Sequence, residues 1–231
     1  MSFLYLTLHH KALLIMTKDN QSTLQDIHYI KDMMEKSSRF ISLSGLSGVF
    51  AGCFAIIGAV AAYFYLHSIG STYSEFARTS SARNLFDDLL FITVDGAIVA
   101  FLSITCGIYF TWRQAKKQGT NIWDKTSQRL LVNLFIPLSA GGIFCLALMY
   151  YGIVGLVAPA TLIFYGFACF NAGKYTHNEV RYLGLSEIAL GLLGLFLIGY
   201  GLELWVIGFG ILHIAYGIVM YFKYERKTST N

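Results

Sequence analysis

Charge is confined to short segments of this chain, and long apolar stretches lie between them. Residues 40–66 contain no Asp, Glu, Lys or Arg, and residues 89–112 contain only Asp95. The 42 residues 130–171 carry no charge at all, and residues 183–222 carry only Glu187 and Glu203. A bilayer core about 30 Å thick is crossed by roughly 20 apolar residues at 1.5 Å each. The first two stretches therefore predict one span each, 40–66 and 89–112. The third is too long for one span and predicts two, 130–151 and 154–172, around a tight turn near Tyr151 and Gly155. The fourth divides in the same way into 182–200 and 203–222 around Gly199, Tyr200 and Gly201. Pro159 falls in an early turn of the fourth span, where its missing N–H costs little. The expected fold class is an all-α integral membrane protein, a bundle of six transmembrane helices.

The basic residues orient these spans, because cytoplasmic loops carry the excess of Lys and Arg. Lys11, Lys18, Lys31, Lys36 and Arg39 precede the first span; Arg113, Lys116, Lys117, Lys125 and Arg129 lie between the second and third. Lys174 and Arg181 separate the fourth and fifth, and Lys223, Arg226 and Lys227 follow the sixth. Only Arg78 and Arg83 fall in the remaining connectors, so fifteen of the 17 basic residues share one side. An even number of spans with both termini in the cytoplasm predicts this alternation. Tyr63, Tyr65, Tyr150, Tyr151, Tyr200 and Trp205 at the outer ends, and Trp112, Tyr221 and Tyr224 at the inner ends, fit aromatic belts at the two interfaces.

The first 39 residues form a cytoplasmic segment, and residues 223–231 a cytoplasmic tail. Residues 1–15 lack the basic start and the small-residue cleavage site of a signal peptide, and His9, His10 and Lys11 divide their apolar part. Met16 opens a polar stretch and is an alternative start. Residues 22–39 predict an amphipathic helix: Ser22 with Gln25 fits a capping box, and Leu24, Ile27, Ile30 and Met34 share one face. It serves either as an interfacial lead-in to the first span or as a docking helix for a cytoplasmic protein.

Composition removes the soluble alternative. Hydrophobic residues reach 55% and charged ones only 13%, with a mean hydropathy of +0.56, whereas soluble domains carry about 25% charged residues. The net charge of +4 reflects loop asymmetry rather than a nucleic-acid footprint. The partner that composition demands is the lipid bilayer; a cytoplasmic protein or a second copy of the chain are further candidates, and nucleic acid is not. Cys53, Cys106, Cys145 and Cys169 all lie in apolar runs without a CxxC pair, which argues against a disulfide framework or a zinc site.

Three consecutive hairpins show a faint likeness. Leu43-Ser44, Leu138-Ser139 and Leu185-Ser186 each precede a Gly/Ala-rich helix, and Cys106-Gly107, Tyr165-Gly166 and Tyr216-Gly217 recur toward the inner ends of the second helices. Transport folds often contain repeats, although small residues also populate any membrane helix interface. With this six-span layout, the stretch IHYIKDMMEKSSRFISLSGLSG (residues 27–48) resembles an uncharacterised family of bacterial multi-pass inner-membrane proteins. That resemblance implies a bacterial inner-membrane location and no particular activity. The last hairpin, residues 184–221, is loosely similar to the Gly-rich hairpins of HdeD-like acid-resistance membrane proteins, and no function is carried across from it.

Ionisable residues at membrane depth are costly, and each is a candidate site. Glu187 lies about six residues inside the fifth span, with Gly191 and Gly194 on the same face at i+4 and i+7, where another helix can approach closely. A buried carboxyl there is suited to reversible proton uptake. Its structural alternatives are a hydrogen bond to Asn133 or a pairing with Lys174 or Arg181. Asp95 sits in the outer half of the second span, within reach of Arg78 or Arg83, with Ser103 and Cys106 continuing a thin polar stripe. His213 lies near the middle of the sixth span between Gly210 and Gly217, and is either a hydrogen-bonding partner of a neighbouring helix or a pH-responsive group. Glu203 begins the sixth helix, where the dipole favours an acid. Asn133 and Pro137 stand one turn apart on the third span and either free a carbonyl or kink the helix.

There is no GxxxxGK[ST], GxGxxG, HExxH or GxSxG motif, and the longest connectors, 67–88 and 113–129, are too short for a soluble catalytic domain. His177 and Glu179 are too few for a metal site. No cofactor, no metal and no enzymatic activity are expected. Two functional classes remain. One is a small proton-linked transporter or channel-like protein using Glu187, Asp95, His213 and Asn133. The other is a non-catalytic membrane sensor or accessory subunit that docks a cytoplasmic partner. An intramembrane lipid-modifying enzyme would need a nucleophile–base pair that is not recognisable here. The charge alternation makes one prediction: membrane-impermeant labelling should find residues 113–129 and Asn231 on the same face of the membrane, and opposite faces would refute the even-span layout.

Overall fold

The computed structural model describes residues 40, 42–78, 85–120 and 122–226. The expected amphipathic helix 22–39, the alternative start at Met16 and Arg83 lie outside the described residues. Among those residues the protein is all-helical, with no strands. Six long helices and one short one follow in order: α1 (Gly45–Ser68), the short α2 (Tyr73–Arg78), α3 (Leu85–Gln118), α4 (Lys125–Tyr150), α5 (Val157–Ala172), α6 (Asn178–Phe196) and α7 (Ile198–Glu225). Helices α1, α3, α4, α7 and α5 with its 3-10 lead-in (Val154–Leu156) are long and apolar enough to cross a membrane. These are five rather than the six expected. α6 has 19 residues, about 28 Å at 1.5 Å per residue, but carries Glu179, Arg181 and Glu187.

Helix boundaries extend beyond the uncharged stretches because the flanking charges belong to the helices. α3 begins with Asp87 and Asp88 in its first turn and ends with Lys116 and Lys117 in its last, each sign at the end where the helix dipole favours it. It therefore exceeds the expected 89–112 on both sides. α4 starts at Lys125 rather than at residue 130, because Asp124 and Ser127 form a capping box: Ser127 N–H donates to Asp124 Oδ1 at 2.6 Å and Asp124 N–H donates to Ser127 Oγ at 2.9 Å.

α3 packs on α1, α1 on α7, α7 on α6 and α5, and α4 on α5. The outward surfaces carry large apolar side chains, among them Ile57, Phe64, Phe101, Ile108, Ile136 and Ile143. Water is a poor solvent for such a surface, and lipid a good one. This is a membrane-embedded architecture, with polar contacts gathered at its two ends. At the end holding the α3–α4 connection, here the basic end, Phe40 N–H donates to Tyr175 O at 2.7 Å and Thr176 Oγ1 donates to Phe40 O at 2.7 Å. Ser42 Oγ donates to Gln118 Oε1 at 3.1 Å, and Ser44 Oγ donates to Glu225 Oε1 at 3.0 Å. At the opposite end α2 packs on the turns before α5 and α7, with Leu66, Phe76 and Val154 as an apolar cluster. Burial pushes the Tyr73 phenol there up to about 12, with the Glu203 carboxylate adding to it, so Tyr73 stays neutral.

Glycines set the closest approaches. A Cβ on Gly166 would stand 2.6 Å from Gly184 O, and one on Gly184 would stand 2.6 Å from Gly166 O, so α5 and α6 cross backbone against backbone. Gly45 and Gly217 make the same reciprocal contact between α1 and α7. Small residues allow such contacts where hydrophobic association is absent. Gly142 has nothing within 4 Å of its Cβ position. Gly166→Ala and Gly184→Ala should each cost about 1–3 kcal/mol through overpacking, read as a lower unfolding temperature in detergent. Gly142→Ala should leave stability unchanged or raise it through helix propensity. Equal responses at all three positions would contradict the crossing.

Candidate functional site

α5, α6 and α7 meet around Glu187, which is wholly buried. Because α6 begins at Asn178, Glu187 is the tenth of its 19 residues and sits at mid-helix, deeper than its place in the uncharged stretch suggested. Gly191 and Gly194 on the same face lie against Pro159 and Ile163 of α5. From α7, Gly208 faces the carboxyl: a Cβ there would collide with Glu187 Oε2 and stand 2.6 Å from Leu162 Cδ2. The carboxyl occupies the space that a side chain at position 208 would fill.

Gly208 lies in a run of wide π turns, Val206–Leu212, within α7. Turns of this kind disturb the regular ladder and recur at functional sites. His213 follows directly and is buried. Its Nδ1 lies 3.0 Å from Gly208 O and 3.4 Å from Glu187 Oε1, and its Nε2 lies 2.7 Å from the Tyr165 hydroxyl. A carbonyl oxygen only accepts, so the bond to Gly208 puts a proton on Nδ1. Nε2 of the neutral ring then accepts from Tyr165. Both ring nitrogens are thereby satisfied, and the ring orientation is fixed from α5 and from within α7.

The carboxyl is not satisfied in this way. Among the described residues neither Glu187 oxygen has a hydrogen-bond partner, and neither does the buried Tyr216 hydroxyl. A carboxylate without hydrogen bonds in such a place is expensive unless a cation stands beside it. Two states of the pair keep the interior neutral, either acid with imidazole or carboxylate with imidazolium; because Nδ1 already carries a proton, the second proton of the imidazolium sits on Nε2, the nitrogen that faces Tyr165. The arrangement therefore suits a group that takes up, holds and passes a proton.

The four residues singled out from the sequence do not all converge. Glu187 and His213 meet. Asn133 lies on α4 and gives its amide to Arg129 O, 2.8 Å away and one turn back, so it is not the hydrogen-bond partner of Glu187. Nor does Glu187 pair with Lys174 or Arg181: Arg181 stacks over the Phe170 ring, 5.1 Å from its centre. Asp95 faces α1 over Gly58, with its Oδ2 3.3 Å from the Cβ position there, and among the described residues it makes no ion pair with Arg78. The buried acid of α3 is instead Asp88, which accepts from the Tyr65 hydroxyl at 2.8 Å. Tyr165 and Gly208 complete the site without being flagged in advance, since neither is charged; the one available signal was that Tyr165 lies among apolar residues at mid-span.

Among the described residues no three of His, Cys, Asp and Glu are grouped so as to hold a metal ion. A surface recess of about 300 Å³ lined by Trp112, Lys116 and Trp123 belongs to α3 and the α3–α4 connection, not to the helices of this cluster. Compared with family models, curated proteins and solved structures, the chain matches none. The fit of Gly208 to Glu187 is testable by a double-mutant cycle. Gly208→Ala should destabilise by about 1–3 kcal/mol, and Glu187→Ala should relieve much of that cost, giving a coupling above about 0.5 kcal/mol. Strict additivity of the two unfolding free energies would show that the two residues do not touch.

Proposed function

We propose that this chain is a small proton-linked transporter or channel-like protein of the bacterial inner membrane. In this reading it crosses the membrane six times with both termini in the cytoplasm, and α6 is the span beyond the five apolar ones. The charges of α6 accord with that. Glu179 is in its first turn and pairs with Lys223 of α7, Arg181 lies close behind it over Phe170, and Glu187 is enclosed by protein. The one charge of α6 at mid-depth, Glu187, is therefore kept from lipid. The observation that carries the functional reading is the wholly buried Glu187 carboxyl, without hydrogen bonds among the described residues and 3.4 Å from His213 Nδ1. A membrane protein bears the cost of such a group where protons or ions are handled.

The polar path expected through Glu187, Asp95, His213 and Asn133 narrows to Glu187 and His213, held by Tyr165. The rival class, a sensor or accessory subunit, draws support from the segment just after residue 39, where Phe40, Ser42 and Ser44 are tied to three separate parts of the basic end. A flux measurement separates the two. In proteoliposomes under an imposed pH gradient, the wild-type protein should carry a proton-coupled flux, Glu187→Gln should abolish it, and Asp95→Asn should preserve it. Flux that survives Glu187→Gln, or no flux from any variant, would reject the transport reading in favour of the accessory one.

A further inference from the structure

One face of α3 changes character step by step toward the basic end. Phe101, Ile104, Ile108, Trp112 and Lys116 follow one another at spacings of three or four residues and so share that face. The first four are large apolar side chains, each at least half exposed, and α1 packs on α3 elsewhere. From Phe101 to Trp112 the helix rises about 16 Å at 1.5 Å per residue, roughly half of a hydrocarbon core about 30 Å thick. The stripe thus has the length of one leaflet. An indole stands where the headgroups begin, and an ammonium follows one turn beyond, the depths that suit Trp and Lys.

The stripe ends in a recess of about 300 Å³. Ala115, almost wholly buried, lies at its base; Trp112 and Lys116 border it from α3, and Ile122 and Trp123 from the connection to α4. Thr120 N–H donates to Ala115 O at 3.1 Å, and the Thr120 hydroxyl lies 2.8 Å from Ser42 Oγ, which fixes the chain reversal that forms the recess. The bond to Ala115 O also occupies a carbonyl that would otherwise repel an anion at this helix end. Lys116 Nζ stands over the Trp112 ring, 5.4 Å from its centre, so the ammonium is held beside the recess. Arg113 and Lys117 are exposed next to it on α3, and Lys125 opens α4. Asp124, the only acid in residues 113–129, is engaged as the cap of α4. Among the described residues none of these four basic side chains has an acidic partner.

We propose that this recess binds the phosphate headgroup of an anionic phospholipid, with Lys116 facing the phosphate and an acyl chain lying along Ile108, Ile104 and Phe101. Charge complementarity and the order of the side chains select that occupant. A soluble anion would meet the cations and leave the apolar stripe unused. A neutral lipid would cover the stripe and leave the cations without a counter-charge. Basic pockets at the ends of membrane helices recognise anionic headgroups in this way. The inference needs only that the bundle lies in a membrane, and it is independent of the role of Glu187.

The test exploits quenching of tryptophan by brominated acyl chains, which acts at short range. The chain has three tryptophans, two of them at the recess. The full chain is placed in phosphatidylcholine vesicles that contain a minor share of brominated phosphatidylglycerol or, separately, of brominated phosphatidylcholine. Brominated phosphatidylglycerol should quench more strongly, by an amount that corresponds to a preference of about fivefold for one basic side chain near an anionic lipid. Replacing both Trp112 and Trp123 by Phe should remove the excess, leaving Trp205 near the start of α7 as the baseline. Lys116→Gln should bring the preference close to one, and Lys116→Arg should keep it. Lys174→Gln removes an exposed cation of the same end that does not line the recess, and should leave the preference unchanged. Equal losses in Lys116→Gln and Lys174→Gln would show general attraction to the basic end and overturn the site. A preference that survives Lys116→Gln, or an excess that survives the loss of both tryptophans, would overturn it as well. Displacement by inorganic phosphate, and not by chloride at equal ionic strength, would make the recess a site for a soluble anion and reject the lipid.

Discussion

Direct contact between helix backbones, possible only where glycine removes the side chain, is the constraint on which this structure depends. Lipid offers apolar helices no hydrophobic reason to associate, so packing and polar contacts must hold them. The Gly166–Gly184 and Gly45–Gly217 crossings supply that packing. They bring α5 to α6 and α1 to α7, and the site lies where the two pairs join. Gly208 belongs to the same logic, but there the neighbour that uses the missing side chain is a carboxyl. Without the close crossings Glu187 would meet lipid, and without Gly208 it would have no room.

The same helices that enclose Glu187 also determine what it can do. His213 is held by Tyr165 from α5 and by Gly208 O from its own helix, so its position does not depend on the charge of Glu187. The acid is thereby free to change protonation beside a ring that stays in place. An ion pair anchored on both sides would be a structural bond. Here one partner is fixed and the other is not, and that difference favours proton handling over bracing.

The helical membrane architecture was legible because lipid imposes it: every long uncharged stretch emerged as helix, and the turns fell near Gly152 and Gly199 where the stretches had to divide. The helix ends were less legible. Asp87, Lys117 and Asp124 look like loop residues when charge is taken as a boundary, yet each belongs to a helix terminus through the dipole or a cap. The site was half legible. Glu187 and His213 stand out as ionisable groups among apolar neighbours, but which helices face each other is not written in periodicity when glycine faces occur on nearly all of them. That is why Asn133, Lys174 and Arg181 were the partners expected for Glu187 where the structure has His213, and why Tyr165, an uncharged residue, was not singled out.

Polar groups in this bundle divide by depth in a way that separates structure from function. Near the ends several have a companion: Ser44 with Glu225, Tyr65 with Asp88, Glu179 with Lys223 and Tyr224. Such contacts fix the ends of helices and need no further purpose. At mid-depth the two oxygens of Glu187 and the hydroxyl of Tyr216 lack hydrogen bonds among the described residues. Apolar residues of similar size would fill those positions at lower cost, because a buried polar group left without a partner destabilises the fold. A feature that costs stability within a bundle otherwise arranged for close packing asks for a reason other than stability, and an acid, an imidazole and a phenol in one enclosed cluster are the observation on which the proposed proton-linked reading rests.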